Sequence, residues 1–361
     1  MEQKEPTAEI LNLMVQPAFT VEKGMITLVN SAAEGYLLAP GMPIADLLHT
    51  GAEEYATFSQ GCLYLSLSIA GTPCGASVRR MGDLDIFTLE QGAEQAELQA
   101  MALAAQELRG PLSNVMSVAD RLFPLTQEED HPETKDQIAR INRGLFQMLR
   151  IVSNMTDAYR YCQQSEPRLS VRNVTEVVGE IFDKAIPMLA HAGVSLTFTN
   201  LPKAVFSLMD AEKLERGIHN ILSNAVKFSP KGSPIAAKLC QKGNRLYLTV
   251  QDSGDGIRNG HRSNVHTRFQ RQPGLEDSRF GIGLGMVLIR SAATAHGGTV
   301  LIDQPEDCGT RITMTMVIRQ DTDNLLRSST LSIDYAGERD HLLMELSDVL
   351  PPSLYESEYI N

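Results

Sequence analysis

Apolar and polar positions alternate in two stretches near the N-terminus, and this period of two is typical of half-buried β-strands. The first stretch runs from Pro17 to Asn30 around a turn at Glu22-Lys23-Gly24 and predicts a β-hairpin. The second runs from Cys62 to Leu89 and is divided by turn residues near Gly71 and Gly82. The pattern therefore predicts a small α/β domain in which a hairpin, a helical connection and three further strands follow one another.

The next part of the chain changes to the period of an amphipathic helix. Between Glu90 and Phe123, and again after a polar loop up to about Tyr161, apolar residues recur three and four positions apart. The first stripe holds Leu98, Met101, Ala105, Leu108, Leu112 and Val115, and the second holds Ile138, Ile141, Leu145, Leu149, Val152 and Met155. Two helices with one stripe each predict an antiparallel hairpin, which we expect to pair with a second copy into a four-helix bundle.

Beyond Ser165-Glu166-Pro167, helical and strand periods alternate and predict an α/β sandwich. Helices are predicted at 173–192, at 211–227 with Asp210 as the N-cap, and from a glycine run to His296, with strands at 194–199, 204–208, 235–239, 245–251, 299–303 and 310–318. From Asp321 the chain turns acidic around one amphipathic piece, 342–350. We expect this tail to be a loosely held appendage.

Composition limits the partners and the compartment. The net charge of −12 argues against nucleic acid and anionic membranes, which bind clustered Lys and Arg. The five cysteines are scattered and never spaced as CxxC, which disfavours a disulfide framework and a zinc site. No run of about 18 apolar residues occurs. We therefore expect a cytoplasmic protein without a transmembrane segment.

The glycine run Arg279-Phe280-Gly281-Ile282-Gly283-Leu284-Gly285-Met286 opens directly into a helical pattern. Small residues let backbone N–H groups approach a phosphate, and the start of a helix adds the positive end of its dipole. The run lacks the third glycine of a dinucleotide-binding fingerprint, and the chain contains no Gly-Lys-Ser/Thr of a P-loop. It is a candidate phosphate cradle, with a plain turn as the alternative.

Two further motifs carry polar groups suited to a nucleotide. Asn220, Asn224 and Lys227 share one face of the helix behind Asp210, where an amide oxygen can ligate Mg²⁺ and an ammonium can meet phosphate. Asp252-Ser-Gly-Asp-Gly256 follows an alternating strand, and a carboxylate held in such a turn can accept a hydrogen bond from an exocyclic amine. The alternatives are a solvated helix face and an ordinary acidic turn.

The motifs stand in a recognisable order along the chain. They are Asn220-Ile-Leu-Ser-Asn-Ala-Val-Lys-Phe-Ser-Pro230, Asp252-Ser-Gly-Asp-Gly-Ile257, Gly281-Ile-Gly-Leu-Gly-Met286 and His296-Gly-Gly298. Together they resemble the N, G1 and G2 boxes of the histidine-kinase catalytic domain, whose ATP-binding fold is shared with gyrase and Hsp90. The resemblance covers about Leu98 to Ile318 and implies a Bergerat-type α/β sandwich that binds ATP and Mg²⁺.

The resemblance also implies roles for individual residues. Asn224 would hold the Mg²⁺ that bridges the ATP phosphates, Asn220 would support it, Lys227 would contact phosphate, Asp252 would read adenine, Gly254 and Gly256 would shape the base pocket, and Gly281, Gly283, Leu284 and Gly285 would border the phosphates. The polar loop 258–279 would be the lid. Its Arg268-Phe269-Gln270-Arg271 resembles the F box, with His266 in place of the usual upstream phenylalanine and Ile282 where the family often has threonine.

The first long helix resembles the family's H box but lacks its phosphoacceptor. In Ala105-Gln106-Glu107-Leu108-Arg109-Gly110-Pro111-Leu112, Gln106 stands where the family carries its phosphorylated histidine. An amide nitrogen is conjugated with its carbonyl and is a poor nucleophile, so we expect autophosphorylation at this position to be lost. Glu107, the family's general base, is retained, and Gly110 replaces the usual Thr or Asn. We interpret His131, His191, His219, His261, His266, His296 and His341 as surface, packing or lid residues; His219 directly precedes the asparagine motif.

The N-terminal part resembles a PAS sensor domain, with Asn30 where such domains often carry an asparagine after the second strand. The implied domains are a PAS-like sensor at 1–92, a dimerisation hairpin at 93–164, an ATP-binding domain at 165–320 and an acidic tail at 321–361. We expect an α+β multidomain, two-component histidine kinase homologue that forms a homodimer, or a heterodimer with another histidine kinase, and meets a response regulator.

Such a protein would act in trans or as an ATP-gated regulator. The alternative is a non-enzymatic dimerisation and docking scaffold, a pseudokinase. An ATP-driven clamp is disfavoured because the clamp enzymes have a glutamate where Asn220 stands, and an anti-sigma kinase because it normally has no PAS domain or long helical hairpin.

Overall fold

The computed structural model describes residues 11–14, 16–90, 93–126, 132–162, 167–254, 284–305, 309–319 and 340–356. The N-terminal part contains the strands β1 (Ala18–Glu22), β2 (Met25–Val29), β3 (Cys62–Ile69), β4 (Thr72–Met81) and β5 (Leu84–Leu89), with a short helix α1 (Ala52–Thr57) between β2 and β3. The β1–β2 hairpin and the antiparallel β3–β4–β5 meander confirm the predicted strands. Pairing of β1 with β5 closes them into one sheet.

A buried asparagine fixes the end of β2. Asn30 Oδ1 accepts hydrogen bonds from the backbone N–H groups of Ala18 (2.9 Å) and Ala33 (3.1 Å), and so caps the 3-10 turn that follows. Its Nδ2 donates to carbonyl groups of the preceding segment, including that of Gln16 at 2.9 Å. This side chain therefore joins the N-terminal segment, β1 and the helical connection, which explains why a polar residue is buried there.

Two long helices follow, α2 (Ala93–Thr126) and α3 (Pro132–Cys162), and they pack together as the predicted hairpin. Within one copy the predicted stripes are buried only in part, because Leu108 and Val115 on α2 and Ile141 on α3 are exposed, and burial of these residues by a second copy stays a prediction. Within the hairpin, Met116 and Ala119 are buried in their place. The stripe that contacts the rest of this chain is thus rotated from the one that the apolar spacing predicted.

The third part is an α/β unit and confirms the predicted order of elements. It contains β6 (Ser170–Asn173), α4 (Val174–His191), β7 (Ser195–Thr199), β8 (Phe206–Met209), α5 (Ala211–Phe228), β9 (Pro234–Lys242), β10 (Arg245–Gln251), α6 (Gly285–Ala295), β11 (Val300–Asp303) and β12 (Arg311–Val317). Its main sheet has the order β11-β12-β10-β9-β7, with β7 and β9 parallel. The α4, α5 and α6 side chains fill the core against this sheet, and β6 and β8 form a separate ribbon.

The sheets of the first and third parts are continuous, which the strand patterns did not predict. β3 pairs antiparallel with β11, with Leu63 opposite Leu301, and the result is a ten-stranded sheet. Arg290 on α6 lies over the Tyr64 ring at 4.3 Å and pairs with Glu90 at 3.3 Å. The N-terminal domain therefore contacts the same helix that begins at the glycine run.

The C-terminal segment, which we define as residues 340–356, corrects the expectation of a loosely held tail. It contains the short helix α7 (His341–Glu345) and a 3-10 turn, Pro352–Tyr355. Its apolar side chains are buried in the same core as α4, α5 and α6, and they are Leu342, Leu343, Met344, Leu346, Leu350, Leu354 and Tyr355. The acidic composition suggested solvation, but this part of the tail buries a dense apolar face.

Among the described residues, no helix is both long enough and apolar enough to cross a bilayer.

We predict that a side chain at the sheet junction destabilises the fold. Gly61 has a φ of +90°, and a Cβ there would collide with the Ile302 carbonyl on β11, whereas Gly71 has a φ of +80° and open space around it. Gly71→Ala should cost about 1–2 kcal/mol of unfolding free energy from the left-handed backbone alone. Gly61→Ala should cost at least about 2 kcal/mol more, because the junction must open as well. Urea denaturation of both variants measures this, and equal losses would contradict the junction.

Candidate functional site

The helix α5 begins at a capped and clamped N-terminus. Asp210 accepts a hydrogen bond from the Lys213 N–H at 3.1 Å, as the predicted N-cap should. The Asp210 N–H donates to Nε2 of His296 at 3.1 Å, so the proton of this ring is on Nδ1, which donates to the Ala292 carbonyl at 2.6 Å. Burial lowers the pKa of His296 and keeps the ring neutral. His296 is therefore a packing residue that joins the C-terminus of α6 to the start of α5.

A glycine sets the close approach of α5 and α6. A Cβ on Gly217 would lie 2.7 Å from the Cβ of Ala292, which is closer than real Cβ atoms approach. The two helices therefore pack with backbone near backbone at this level. The close crossing brings the polar face of α5 to the first turn of α6.

The two asparagines converge on the start of α6. A Cβ built on Gly285 would lie 3.0 Å from Oδ1 of Asn220 and 3.9 Å from Oδ1 of Asn224. Asn220 is buried and donates from Nδ2 to the Arg216 carbonyl at 2.9 Å, while Asn224 is half-buried. Two amide oxygens thus face the N-terminus of α6. A side chain at residue 285 would press against the nearer of them, that of Asn220.

Asp252 lies where β10 ends and is 6% exposed. Its Oδ1 accepts hydrogen bonds from the N–H groups of Gly254 at 2.8 Å and Thr310 at 3.0 Å. Burial raises the pKa of this carboxyl, and the two backbone hydrogen bonds oppose the rise. Among the described residues, Oδ2 of Asp252 accepts no hydrogen bond.

The turn after Asp252 packs on the end of α5. A side chain at Gly254 would collide with the carbonyl oxygen of Phe228, the last residue of that helix. Gly254 therefore holds the carboxylate near the C-terminal end of the same helix that carries the asparagines. The acid therefore lies at the C-terminal end of α5, and the amides lie further back along the same helix.

Lys227 lies on the same helix but is already paired. Its Nζ is 2.6 Å from Oδ2 of Asp348 in the C-terminal segment, and its side chain is 8% exposed. Burial lowers the pKa of Lys227, and the nearby Arg150 adds to that, while the Asp348 carboxylate opposes it. In this structure the ammonium predicted to contact phosphate forms an ion pair within the chain, and the phosphate contact stays a prediction.

The remaining predicted residues either lie outside the described part of the chain or make other contacts. Gly256, Gly281, Gly283 and the predicted lid lie outside the described residues. Leu284 is buried and packs with Val287 and Ala158, so it joins α6 to α3. Gln106 and Glu107 are exposed on α2, and so is Gly110. The structure therefore brings Asn220, Asn224, Asp252, Gly254 and Gly285 together around α5.

The histidines that the structure describes do not form a second candidate centre. His49 and His191 are exposed, and His191 Nδ1 is 2.7 Å from the Pro187 carbonyl. His341 pairs with Glu215 at 3.0 Å. His219 is fully buried on α5, and its Nδ1 has no hydrogen-bond partner in the described part of the chain.

A group of buried charges was missed by the sequence reasoning. Glu345 is 0% exposed and lies between Arg216 (3.0 Å) and Arg150 (3.3 Å). Arg216 also donates to Asn154 Oδ1 at 2.7 Å and pairs with Asp157 on α3. Each arginine stands among apolar positions on its own helix. That position could have indicated a buried arginine, and a buried charge needs a partner of opposite charge.

Comparison with known proteins identifies the class to which this site belongs. Residues 209–320 match the family described as the histidine kinase-, DNA gyrase B-, and HSP90-like ATPase. The sensor protein KdpD of Clostridium acetobutylicum is 27% identical over 228 residues, which is 60% of this chain and 25% of that protein. The sensor histidine kinase CusS of Escherichia coli K12 is 28% identical over 214 residues, 59% of this chain and 44% of that protein.

Among solved structures, full-length ShkA in complex with AMPPNP matches with a TM-score of 0.49 and 20% identity, over 62% of this chain and 46% of that one. The chain thus spans less than half the length of these relatives. Its third part is an ATPase domain of the histidine kinase and gyrase type. The chain is similar to sensor histidine kinases in sequence, and its residues 209–320 match the ATPase domain that the motif resemblance predicted.

We predict that His219 makes the fold less stable in acid. Burial lowers its pKa below the ordinary 6.5, despite the opposing charges of Glu215 and Glu345. Below pH 6.5, His219 binds a proton in the unfolded chain but stays neutral in the folded chain. The free energy of unfolding therefore falls as the pH falls. The slope should be up to about 1.4 kcal/mol per pH unit for this residue.

His219→Leu should remove that part of the slope, and urea denaturation at pH 7.5 and pH 5 measures it. His191→Leu is the matched control, because that histidine is exposed. An unchanged slope in His219→Leu would mean that His219 is protonated in the native state.

Proposed function

We propose that this chain is a two-component histidine kinase homologue that binds Mg·ATP along α5 and does not phosphorylate itself at the usual position. The observation that carries the proposal is the convergence of Asn220 and Asn224 on Gly285, with Asp252 held at the C-terminal end of the same helix. The family match over residues 209–320 supports a nucleotide as the ligand.

The residues present fit this ligand. Asn224 would ligate Mg²⁺ through its amide oxygen and Asn220 would support it, since Mg²⁺ prefers oxygen ligands and is usually held together with substrate phosphates. The absence of a side chain at Gly285 would let a phosphate approach the N-terminus of α6, where helix N–H groups favour negative charge. Oδ2 of Asp252 would accept a hydrogen bond from the adenine amine, and Gly254, with Gly256, would leave room for the base. Gly281, Gly283, Leu284 and Gly285 would border the phosphates.

The hairpin has an exposed apolar face that supports a dimer, and its first helix lacks the usual phosphoacceptor. Apolar side chains stay exposed on both helices, and they are Leu103, Leu108, Val115 and Val118 on α2 and Ile141, Met148 and Ile151 on α3. A second copy, or another histidine kinase, would cover them in a four-helix bundle. Gln106 is exposed where a partner domain could reach it, but its amide cannot serve as the nucleophile. Glu107 alone would not restore the reaction.

The proposed organisation is a PAS-like sensor at 1–92, a dimerisation hairpin at 93–164, an ATP-binding domain at 165–320 and a tail at 321–361. The role of Asn30 in fixing the end of β2 supports the PAS-like interpretation. In the cytoplasm the protein would act in trans on a partner's histidine or as an ATP-gated regulator of a response regulator. A scaffold that docks the regulator without nucleotide is the alternative, and the exposed apolar face of the hairpin is compatible with it.

We predict that Asp252→Asn weakens Mg·ATP binding at least about tenfold, because the amide presents a donor to the adenine amine where the carboxylate presents an acceptor. An asparagine oxygen can still accept from Gly254 and Thr310, so the fold should remain. Isothermal titration measures the affinities, and Asp46→Asn, at an exposed residue of the N-terminal part, is a control for the loss of one carboxylate. Equal affinity in Asp252→Asn and the natural protein would support the scaffold.

We predict that purified protein incubated with γ-labelled ATP and Mg²⁺ gains no acid-labile label, because Gln106 cannot form a phosphohistidine. The Gln106→His variant is run beside it and should gain label if the ATP-binding domain of either copy reaches α2. Phosphohistidine on the natural protein would contradict the loss of autophosphorylation and direct attention to His131 or His219.

A further inference from the structure

The C-terminal segment is built into the core from one side. Tyr355 is fully buried, stacks edge-on with Phe146 of α3 at 5.4 Å, and donates from its hydroxyl to the Leu343 carbonyl at 2.7 Å. Asn142 on α3 donates to the Tyr355 carbonyl at 3.0 Å. Apolar burial and these hydrogen bonds hold the segment on α3, so its docked position is specific.

From that position the segment extends two carboxylates toward α5. Glu345 is 3.4 Å from Nδ2 of Asn220, besides its ion pairs with Arg150 and Arg216. Asp348 is 2.6 Å from Nζ of Lys227 and also pairs with Arg150. Arg143 on α3 donates to the carbonyls of Ser347 at 2.9 Å and Asp348 at 3.0 Å, which fixes the backbone between the two acids.

These contacts fall on the residues that a nucleotide would use. The Lys227 side chain is 8% exposed and its Nζ is 2.6 Å from Oδ2 of Asp348, so a phosphate that reaches this ammonium would come beside that carboxylate. A phosphate group at Lys227 would also stand close to the Asp348 carboxylate, and like charges at such a distance repel strongly in a partly buried site. Docking of the segment and full engagement of the phosphates are therefore incompatible.

We propose that the C-terminal segment is an autoinhibitory element at the phosphate end of the nucleotide site, with Asp348 on Lys227 in place of a phosphate and with Glu345 anchoring the segment beside Asn220. The inference rests on the proposed function, since it assumes that ATP binds along α5. Mg·ATP then binds only when the segment leaves, and a partner that captures the segment would raise the affinity for ATP.

The same element also ties the two parts of the molecule together. Glu345 joins Arg150 of α3 to Arg216 of α5, and Asp348 joins Arg150 to Lys227. The docked segment thus fixes the ATP-binding domain on the hairpin while it covers the site. Release of the segment would free the nucleotide site and the domain in one event.

The test compares Mg·ATP affinity by isothermal titration in full-length variants. Asp348→Asn removes the charge on Lys227 and should bind Mg·ATP about tenfold more tightly than the natural protein. Asp340→Asn is the matched control, because Asp340 is an exposed acid of the same segment whose Oδ1 caps the Leu343 N–H at 2.8 Å, and asparagine can form that cap too. It should leave the affinity unchanged.

The outcomes separate the two proposals. Equal affinities in the natural protein and Asp348→Asn would overturn the autoinhibitory role and leave ATP binding intact. No binding to either would overturn the proposed function and this inference with it. If Asp348→Asn binds tightly, adding Asp252→Asn should abolish the gain, since the same nucleotide site is used.

A second measurement needs no variant. Amide hydrogen exchange of residues 340–356 in the natural protein should rise when Mg·ATP saturates the site, because binding displaces the segment. Unchanged or slower exchange in the saturated protein would overturn the proposal, since the segment would then remain docked on bound nucleotide.

Discussion

A fully buried carboxylate holds three parts of this molecule in register. Glu345 lies between arginines from α3 and α5. Its ion pairs therefore fix the positions of the hairpin, the ATP-binding domain and the C-terminal segment relative to one another. Removing one partner from such a buried group costs about 3–5 kcal/mol, whereas an apolar replacement of the whole network is often neutral. The network therefore contributes specificity of arrangement more than net stability, and it lies on the face of α5 that carries the candidate nucleotide site.

Local patterns predicted most of the elements, because period and capping depend on neighbouring residues. Asp210, the β-hairpins and the long helices are such cases, and the convergence of Asn220 and Asn224 followed from their spacing on one helix. Strand pairing across long separations is different. Nothing in the residues around Leu63 indicates that β3 would pair with β11, because any apolar strand edge offers the same backbone groups.

The prediction of a loosely held tail was wrong for a different reason. Its net acidity suggested solvation, yet the apolar residues around Leu346 match a buried surface, and Glu345 finds its counter-charges on helices far away in the sequence. Composition averages over positions that have opposite environments. Leu108 and Val115 illustrate the same limit on α2, because helical spacing shows that a stripe exists but does not say whether this chain or another covers it.

In the proposed arrangement, the C-terminal segment partly covers the candidate nucleotide site, and the hairpin holds glutamine at the proposed acceptor position. The structure of the full chain with Mg²⁺ and a non-hydrolysable ATP analogue tests it most directly. We predict the phosphates and the metal between Asn224 and Gly285, the base at Asp252, and residues 340–356 displaced from Lys227. A nucleotide bound elsewhere, or one bound along α5 while Asp348 still pairs with Lys227, would contradict the account.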